Sequence, residues 1–334
     1  MTPSIQRIFV FLGFWFAISA AHAQTSLPRS GGKPDLQGLW TNSSVTQLER
    51  PVGIDKLVLS AREANDMSMR DDRASRVRAE DGDRPPSNTQ LDGADLAAGR
   101  GYNAFWIDPG LAVGRVKGEY RSSWIVSPEN GRIPYSEAGR AHAARMRHLA
   151  ENYDGPEGRP LGDRCLATTG RTGPPIVNGL YNNNYQIVQT DTHVVILSEM
   201  VRHSRVVRLN SKHLPAQIRL LFGDSIGWWE GDTLVVETTN FGPLHERFPH
   251  PAYLTANAKV TERFSRYSRE QILYTYTVED SSLYSQPWRG EASFNSSPQD
   301  LFEYACHEGN YAMLGILAGA REQEKAPAKN SAKP

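Results

Sequence analysis

The run from Asn183 to Glu279 constrains this chain more than any other part of it. Apolar and polar residues alternate in Tyr185-Gln186-Ile187-Val188-Gln189, in His193-Val194-Val195-Ile196-Leu197-Ser198-Glu199 and in Arg205-Val206-Val207-Arg208-Leu209. The pattern resumes in Ile226–Trp229, Thr233–Thr238, Val260–Arg266 and Ile272–Glu279. A strand turns successive side chains to opposite faces, so this period belongs to strands rather than helices. The links are turn-sized at Thr190-Asp191-Thr192, Glu230-Gly231-Asp232 and Ser268-Arg269-Glu270, with one longer Pro-containing connection before Ile226. Links this short join antiparallel neighbours and leave no room for parallel crossovers. The expected fold is mainly β: an antiparallel meander forming a barrel or strongly curved sheet, with a few peripheral helices.

The flanking sequence adds detail. Leu36-Gln37-Gly38-Leu39-Trp40 predicts a first short strand. Trp124-Ile125-Val126 and Arg132-Ile133-Pro134-Tyr135 flank Asn130-Gly131, which predicts a hairpin. Charge and helix formers predict a surface helix over Arg62–Glu80, and Ser136 predicts the N-cap of a helix over Glu137–Tyr153. Asp81–Gly99, with Pro85-Pro86, predicts a long loop, and the Lys/Ala/Pro-rich Glu322–Pro334 predicts a disordered tail. One β-rich domain is expected over residues 24–321.

Met1–Ala23 reads as an export signal. Arg7 supplies a positive start, Ile8–Ile18 an apolar run, and Ala21-His22-Ala23 a small-x-small cleavage site. The apolar run is shorter than the roughly 20 residues a membrane-spanning helix needs. The mature chain is therefore expected to be periplasmic or secreted, without an integral membrane segment. In that oxidising setting the two cysteines, Cys165 and Cys306, are expected to pair. A loop of that length is worth about 5 kcal/mol on the loop-entropy view. The bond would bring His307 and Glu308 beside Arg164. Acidic and basic residues balance at 37 each, so no strong field favours nucleic acid or anionic membrane.

Several strings occur in a distinctive order. They are Asp163-Arg164-Cys165-Leu166, Tyr181-Asn182-Asn183-Asn184-Tyr185, Trp229-Glu230-Gly231-Asp232-Thr233-Leu234-Val235-Val236 and Tyr304-Ala305-Cys306-His307-Glu308-Gly309-Asn310-Tyr311. Over Leu36–Arg321 the chain resembles a widespread family of secreted bacterial proteins, common in proteobacteria and acidobacteria. The resemblance implies export and one continuous domain, and it brings no activity with it.

Three groups of residues carry candidate chemistry. His307 and Glu308 have the parts of a general acid–base pair, or of a polar plug around the disulfide. Glu199 and His203, with Arg205, sit where a carboxylate could close an apolar row formed by His193, Val195 and Leu197 at a barrel mouth. The simpler reading is a Glu199–Arg205 cross-strand ion pair. Arg164, Tyr181, Asn183, Tyr185, Tyr304 and Tyr311 are candidates for binding a substrate, and the Asn run is equally the makings of a turn. The row Ile272, Tyr274, Tyr276 would fill a core or line an aromatic pocket. No metal-ligand spacing, Walker loop, nucleophile elbow or dinucleotide fingerprint appears, so neither a metal nor a cofactor is expected. The leading functional expectation is an exported small-molecule-binding barrel acting as a cofactor-independent acid–base enzyme (isomerase, lyase or hydrolase) on an aromatic or apolar substrate. The alternatives are a non-catalytic periplasmic carrier and an envelope-assembly protein.

Overall fold

The computed structural model describes residues 27–80, 107–168, 170–247 and 252–325. The export segment, the 81–99 loop and residues 326–334 of the tail lie outside the described residues.

Nine strands close into a barrel. In chain order they are β1 (Gly38–Thr41), β2 (Asn184–Gln189), β3 (His193–Ser198), β4 (Ser204–Leu209), β5 (Asp224–Glu230), β6 (Thr233–Thr239), β7 (Lys259–Arg266), β8 (Gln271–Glu279) and β9 (Trp288–Ser296). Each strand pairs with its sequence neighbour, and β9 returns to pair with β1, Asn295 opposite Thr41. The meander expectation holds with one correction. β4 and β5 run parallel, Arg208 opposite Ile226 and Leu209 opposite Gly227. Closure requires it: directions cannot alternate all the way round a ring with an odd number of strands, so one neighbouring pair must be parallel. The link of residues 210–223 carries the chain back for that step. Elsewhere the turns act as read. Gly231 adopts φ +58° between β5 and β6, a left-handed conformation that favours glycine.

The barrel lumen is filled. Phe264, Tyr274 and Phe294 stack about one another with ring centres 4.9 to 6.3 Å apart, and Tyr185 meets Phe294 edge-on at 5.2 Å. Tyr276 and Trp288 meet edge-on at 5.8 Å. Gly290 lies opposite Tyr276, and a Cβ there would come within 2.3 Å of the Tyr276 hydroxyl, so glycine is what admits this ring. The row Ile272, Tyr274, Tyr276 therefore fills the core.

An ion pair lies inside this aromatic packing. Arg205 and Glu262, 5% and 0% exposed, form a two-pronged contact at 2.7 and 3.0 Å. The Tyr274 hydroxyl donates to Glu262 Oε1 at 2.7 Å, and the Ile176 N–H donates to the Tyr274 hydroxyl at 2.8 Å. The alternative reading, a Glu199–Arg205 ion pair, is thus overturned: Arg205 bonds across the lumen instead. Arg205 faces inward with Val207, so it reaches β7 on the opposite wall.

Other expectations need correction. On β3 it is Val194, Ile196 and Ser198 that are buried, while His193, Val195 and Leu197 face outward. Four consecutive apolar residues left the choice of face open, and a slip of one residue reverses it. The Asn130-Gly131 turn forms, with Gly131 N–H donating to Pro128 O at 3.0 Å, but its flanks do not pair with each other. Ile125–Ser127 adds to the edge of β9, and Tyr135 bridges Tyr284. The first helical segment is two helices, α1 (Ala61–Arg70) and α2 (Asp72–Glu80). Asp71 is extended, and its carboxylate accepts from the Ala74 N–H at 2.9 Å, so it starts a second helix rather than continuing the first. α3 (Glu137–Leu149) begins at Ser136 as expected, the Ser136 hydroxyl accepting from Gly139 N–H, but ends short of Tyr153. A fourth helix, α4 (Ala312–Lys325), was not anticipated, and it takes in Glu322–Lys325 of the expected tail. Ion pairs Arg321–Glu324 and Lys325–Glu322 support its last turn.

Arg205→Met leaves Glu262 buried without its counter-charge and is expected to cost about 3–5 kcal/mol in urea unfolding. Arg205→Met with Glu262→Gln is expected to recover most of that loss, because the second change removes the stranded charge. Equal losses in the single and double variants would contradict this account.

Candidate functional site

With the lumen packed, polar chemistry collects at the end of the barrel where β2 begins. The connection Leu161–Asn178 crosses there. Ile176, 2% exposed, is bonded to Tyr274 and anchors the connection in the lumen. The next turn is built by Asn183, which is fully buried. Its Oδ1 accepts from Gly179 N–H at 2.7 Å, and its Nδ2 donates to Asp108 O at 2.7 Å and Gly179 O at 3.0 Å.

Anchored on either side of it, Arg171 is held 7% exposed. Its guanidinium lies against Gly179, where a Cβ would sit 1.5 Å from Nη1, and over the Tyr181 ring at 5.0 Å. Burial lowers its pKa from the ordinary arginine value, and the phenols of Tyr185, Tyr181 and Tyr304 oppose that shift. No ion pair to Arg171 occurs among the described residues, and its Nε has no hydrogen-bond partner. Arginine keeps its proton even here, so this is a buried positive charge lying on a phenol ring, with no carboxylate partner among the described residues. Tyr185 is fully buried, its hydroxyl beside Asn42, and burial pushes its pKa upward.

Tyr304 arrives from the other end of the chain. Residues 301–311 form a strap across this end of the barrel. Phe302 N–H donates to Glu199 Oε1 at 3.1 Å, and Cys306 is bonded to Cys165, with Cα atoms 5.7 Å apart. Glu199 lies just past β3 in helical backbone geometry, which turns its side chain back, 4% exposed, to accept also from Asn184 Nδ2 at 2.8 Å.

The disulfide thus forms as expected and brings Arg164 and His307 together. They line an open cleft of about 270 Å³ with Asp163, Asn310 and Met313, and Asp163 is engaged by Arg159 at 2.9 Å. Glu308 and Tyr311 are exposed, Tyr311 at 76%. His203 stacks on Phe222 with ring centres 3.7 Å apart. Burial, and then the Arg205 charge, lower its pKa to about 4, and its Nε2 has no partner. Glu199, His203 and His307 share no hydrogen bond among the described residues. Of the sequence-derived set, Tyr185 packs on Phe294 in the lumen, while Tyr181 lies against Arg171, which that set omitted. Its signal was present in Gly170-Arg171-Thr172-Gly173-Pro174-Pro175, a lone cation in a Gly/Pro link with no acidic neighbour.

Among the described residues no cluster of three His, Cys, Asp or Glu side chains suits a metal ion, and no helix is long and apolar enough to cross a membrane. No protein-family model matches this chain, and neither a curated protein nor a solved structure matches it.

His203 has a pH consequence. Its folded-state pKa of about 4 lies below the ordinary value of 6.5, so between those values the unfolded chain binds a proton that the folded chain does not. The stability it contributes is complete above the ordinary value and is lost as pH falls towards about 4. Urea midpoints at about pH 7 and about pH 5 should fall further for the native protein than for His203→Phe, which keeps the ring stack without the titration. An identical fall in both would rule this out.

Proposed function

We propose that the protein is an exported binder of a small organic anion, held by Arg171 at the barrel mouth beside Tyr181. The observation that carries this reading is the buried Arg171 charge, which has no acidic partner among the described residues. Burying an uncompensated charge is unfavourable by several kcal/mol, and folds keep such groups where something else supplies the counter-charge. A ligand carboxylate fits the planar guanidinium through two parallel hydrogen bonds. The Tyr181 ring beside it offers an apolar surface for an aromatic or apolar ligand body.

Binding is favoured over acid–base turnover by the state of the candidate proton-transfer groups. Both Glu199 oxygens already accept hydrogen bonds, His203 is stacked and neutral, and His307 lines a different cleft. A general base needs a lone pair directed at substrate, and none of these three offers one at Arg171. A packed lumen places the ligand at the mouth rather than inside the barrel.

Calorimetric titration of the mature protein with benzoate, benzamide and benzylamine tests the charge requirement. Benzoate is expected to bind and the other two are not. Arg171→Met is expected to lose benzoate binding while its thermal midpoint stays level or rises, because the variant removes a buried charge and keeps the chain length. Undiminished benzoate binding by Arg171→Met would sink the proposal.

A further inference from the structure

We infer that the cleft beside the disulfide is a second anion site, selective for inorganic hydrogen phosphate. It shares no residue with the Arg171 site, so either reading can fail without the other. The cleft, about 270 Å³, is lined by Asp163, Arg164 and Cys165 from one stretch of chain and by His307 and Asn310 from another. The Cys165–Cys306 bond joins the two stretches. Arg164 supplies the charge. It is half-buried, yet its guanidinium has no hydrogen bond or ion pair among the described residues. Other half-buried arginines are engaged: Arg73 by Asp71, Arg132 by Glu49, Arg208 by Asp224, and Arg266 by the Asp35 carbonyl. Asp163 is next to Arg164 in sequence but serves Arg159, whose Nε and Nη2 both donate to Asp163 Oδ2, at 3.2 and 2.9 Å. Arg164 therefore brings a positive charge and a full set of N–H donors to the cleft.

Two more donors border the space. Asn310 Oδ1 accepts from the Ala312 N–H at 3.0 Å, which turns Nδ2 towards the Cys165 sulfur at 3.4 Å and leaves its second N–H unused. The His307 ring adds at least one N–H whatever its protonation. One acceptor borders the same space: Asp163 Oδ1, because Arg159 uses Oδ2. That mixture of groups selects the ligand. A guanidinium binds phosphate oxygens in pairs, and the amide and imidazole N–H groups add bonds in other directions. A planar carboxylate offers fewer directions than a tetrahedral oxyanion. Sulfate has the tetrahedral shape but only accepts, so it would meet Asp163 Oδ1 with no proton between the two oxygens. Hydrogen phosphate keeps one O–H at neutral pH, which donates to Oδ1, while its other three oxygens accept. A phosphate monoester loses that proton above its second pKa of about 6, so free phosphate is favoured over an ester.

Calorimetric titration of the mature, disulfide-bonded protein with sodium phosphate, sodium sulfate and phenyl phosphate tests this at about pH 7.5, where the ester has lost its second proton. Phosphate is expected to bind, and sulfate and phenyl phosphate to bind at least about tenfold more weakly. Arg164→Gln is expected to weaken phosphate binding by about tenfold or more and to leave the thermal midpoint level, since Arg164 has no protein partner to lose. Asn310→Asp keeps an oxygen to accept from Ala312 but replaces the donor with a charge that repels phosphate, so it should also weaken binding. The side-chain amide resonances of Asn310 in the native protein should shift as phosphate is added. No phosphate binding, or binding undiminished in Arg164→Gln, overturns the site. So do Asn310 resonances that stay still while phosphate binds, because the anion then lies elsewhere. Sulfate or phenyl phosphate bound as tightly as phosphate overturns the role of Asp163 Oδ1 and with it the selection of free phosphate.

Discussion

The contact on which the rest depends is the Arg205–Glu262 pair inside the barrel, with Tyr274 and Ile176 bonded in series behind it. Two opposite charges surrounded by aromatic rings have no water to turn to, so each fixes the other in position. The pair ties β4 to β7 across the lumen, and Tyr274 extends the tie to β8. The last bond, to the Ile176 amide, leaves the sheet altogether and holds the connection that carries Arg171. One chain of four groups thus links the barrel wall to the polar mouth.

The same core contains two arginines in opposite situations. Arg205 has its carboxylate and a phenol behind it, and every feature of its surroundings is structural. Arg171, nearly as buried, has phenols and a glycine surface. Burying a charge without a counter-charge is costly, and an apolar residue would pack there at lower cost. That contrast is the physical basis for assigning Arg171 to a ligand and Arg205 to the fold.

The strap shows how a disulfide can serve two ends. It contributes to stability by closing a loop that spans 141 positions, and it sets where Tyr304 and Phe302 lie relative to the connection 161–178. Without that bond, residues 301–325 would have few apolar contacts to define their position, since α4 lies on the surface with Leu314 71% exposed.

Much of the fold was legible before any coordinates. Period-two segments joined at Gly231 and at 190–192 specify hairpins whatever surrounds them, because side-chain alternation and a left-handed turn are local properties. Ser136 and the two cysteines were legible for similar reasons: a cap acts on its own helix, and a chain with two cysteines has a single internal pairing to make. What local chemistry could not determine was which face of β3 turns inward, since Val194 to Leu197 are apolar on both faces. Nor could it show that an odd strand count obliges β4 and β5 to run parallel, which is a property of the closed ring and not of any segment. Partner choice was also tertiary. Arg205 takes Glu262 from a strand far along the chain instead of Glu199 nearby, and Arg171 takes no carboxylate among the described residues. Secondary structure follows from neighbours in sequence, whereas the meaning of a charged residue depends on what the closed barrel leaves beside it.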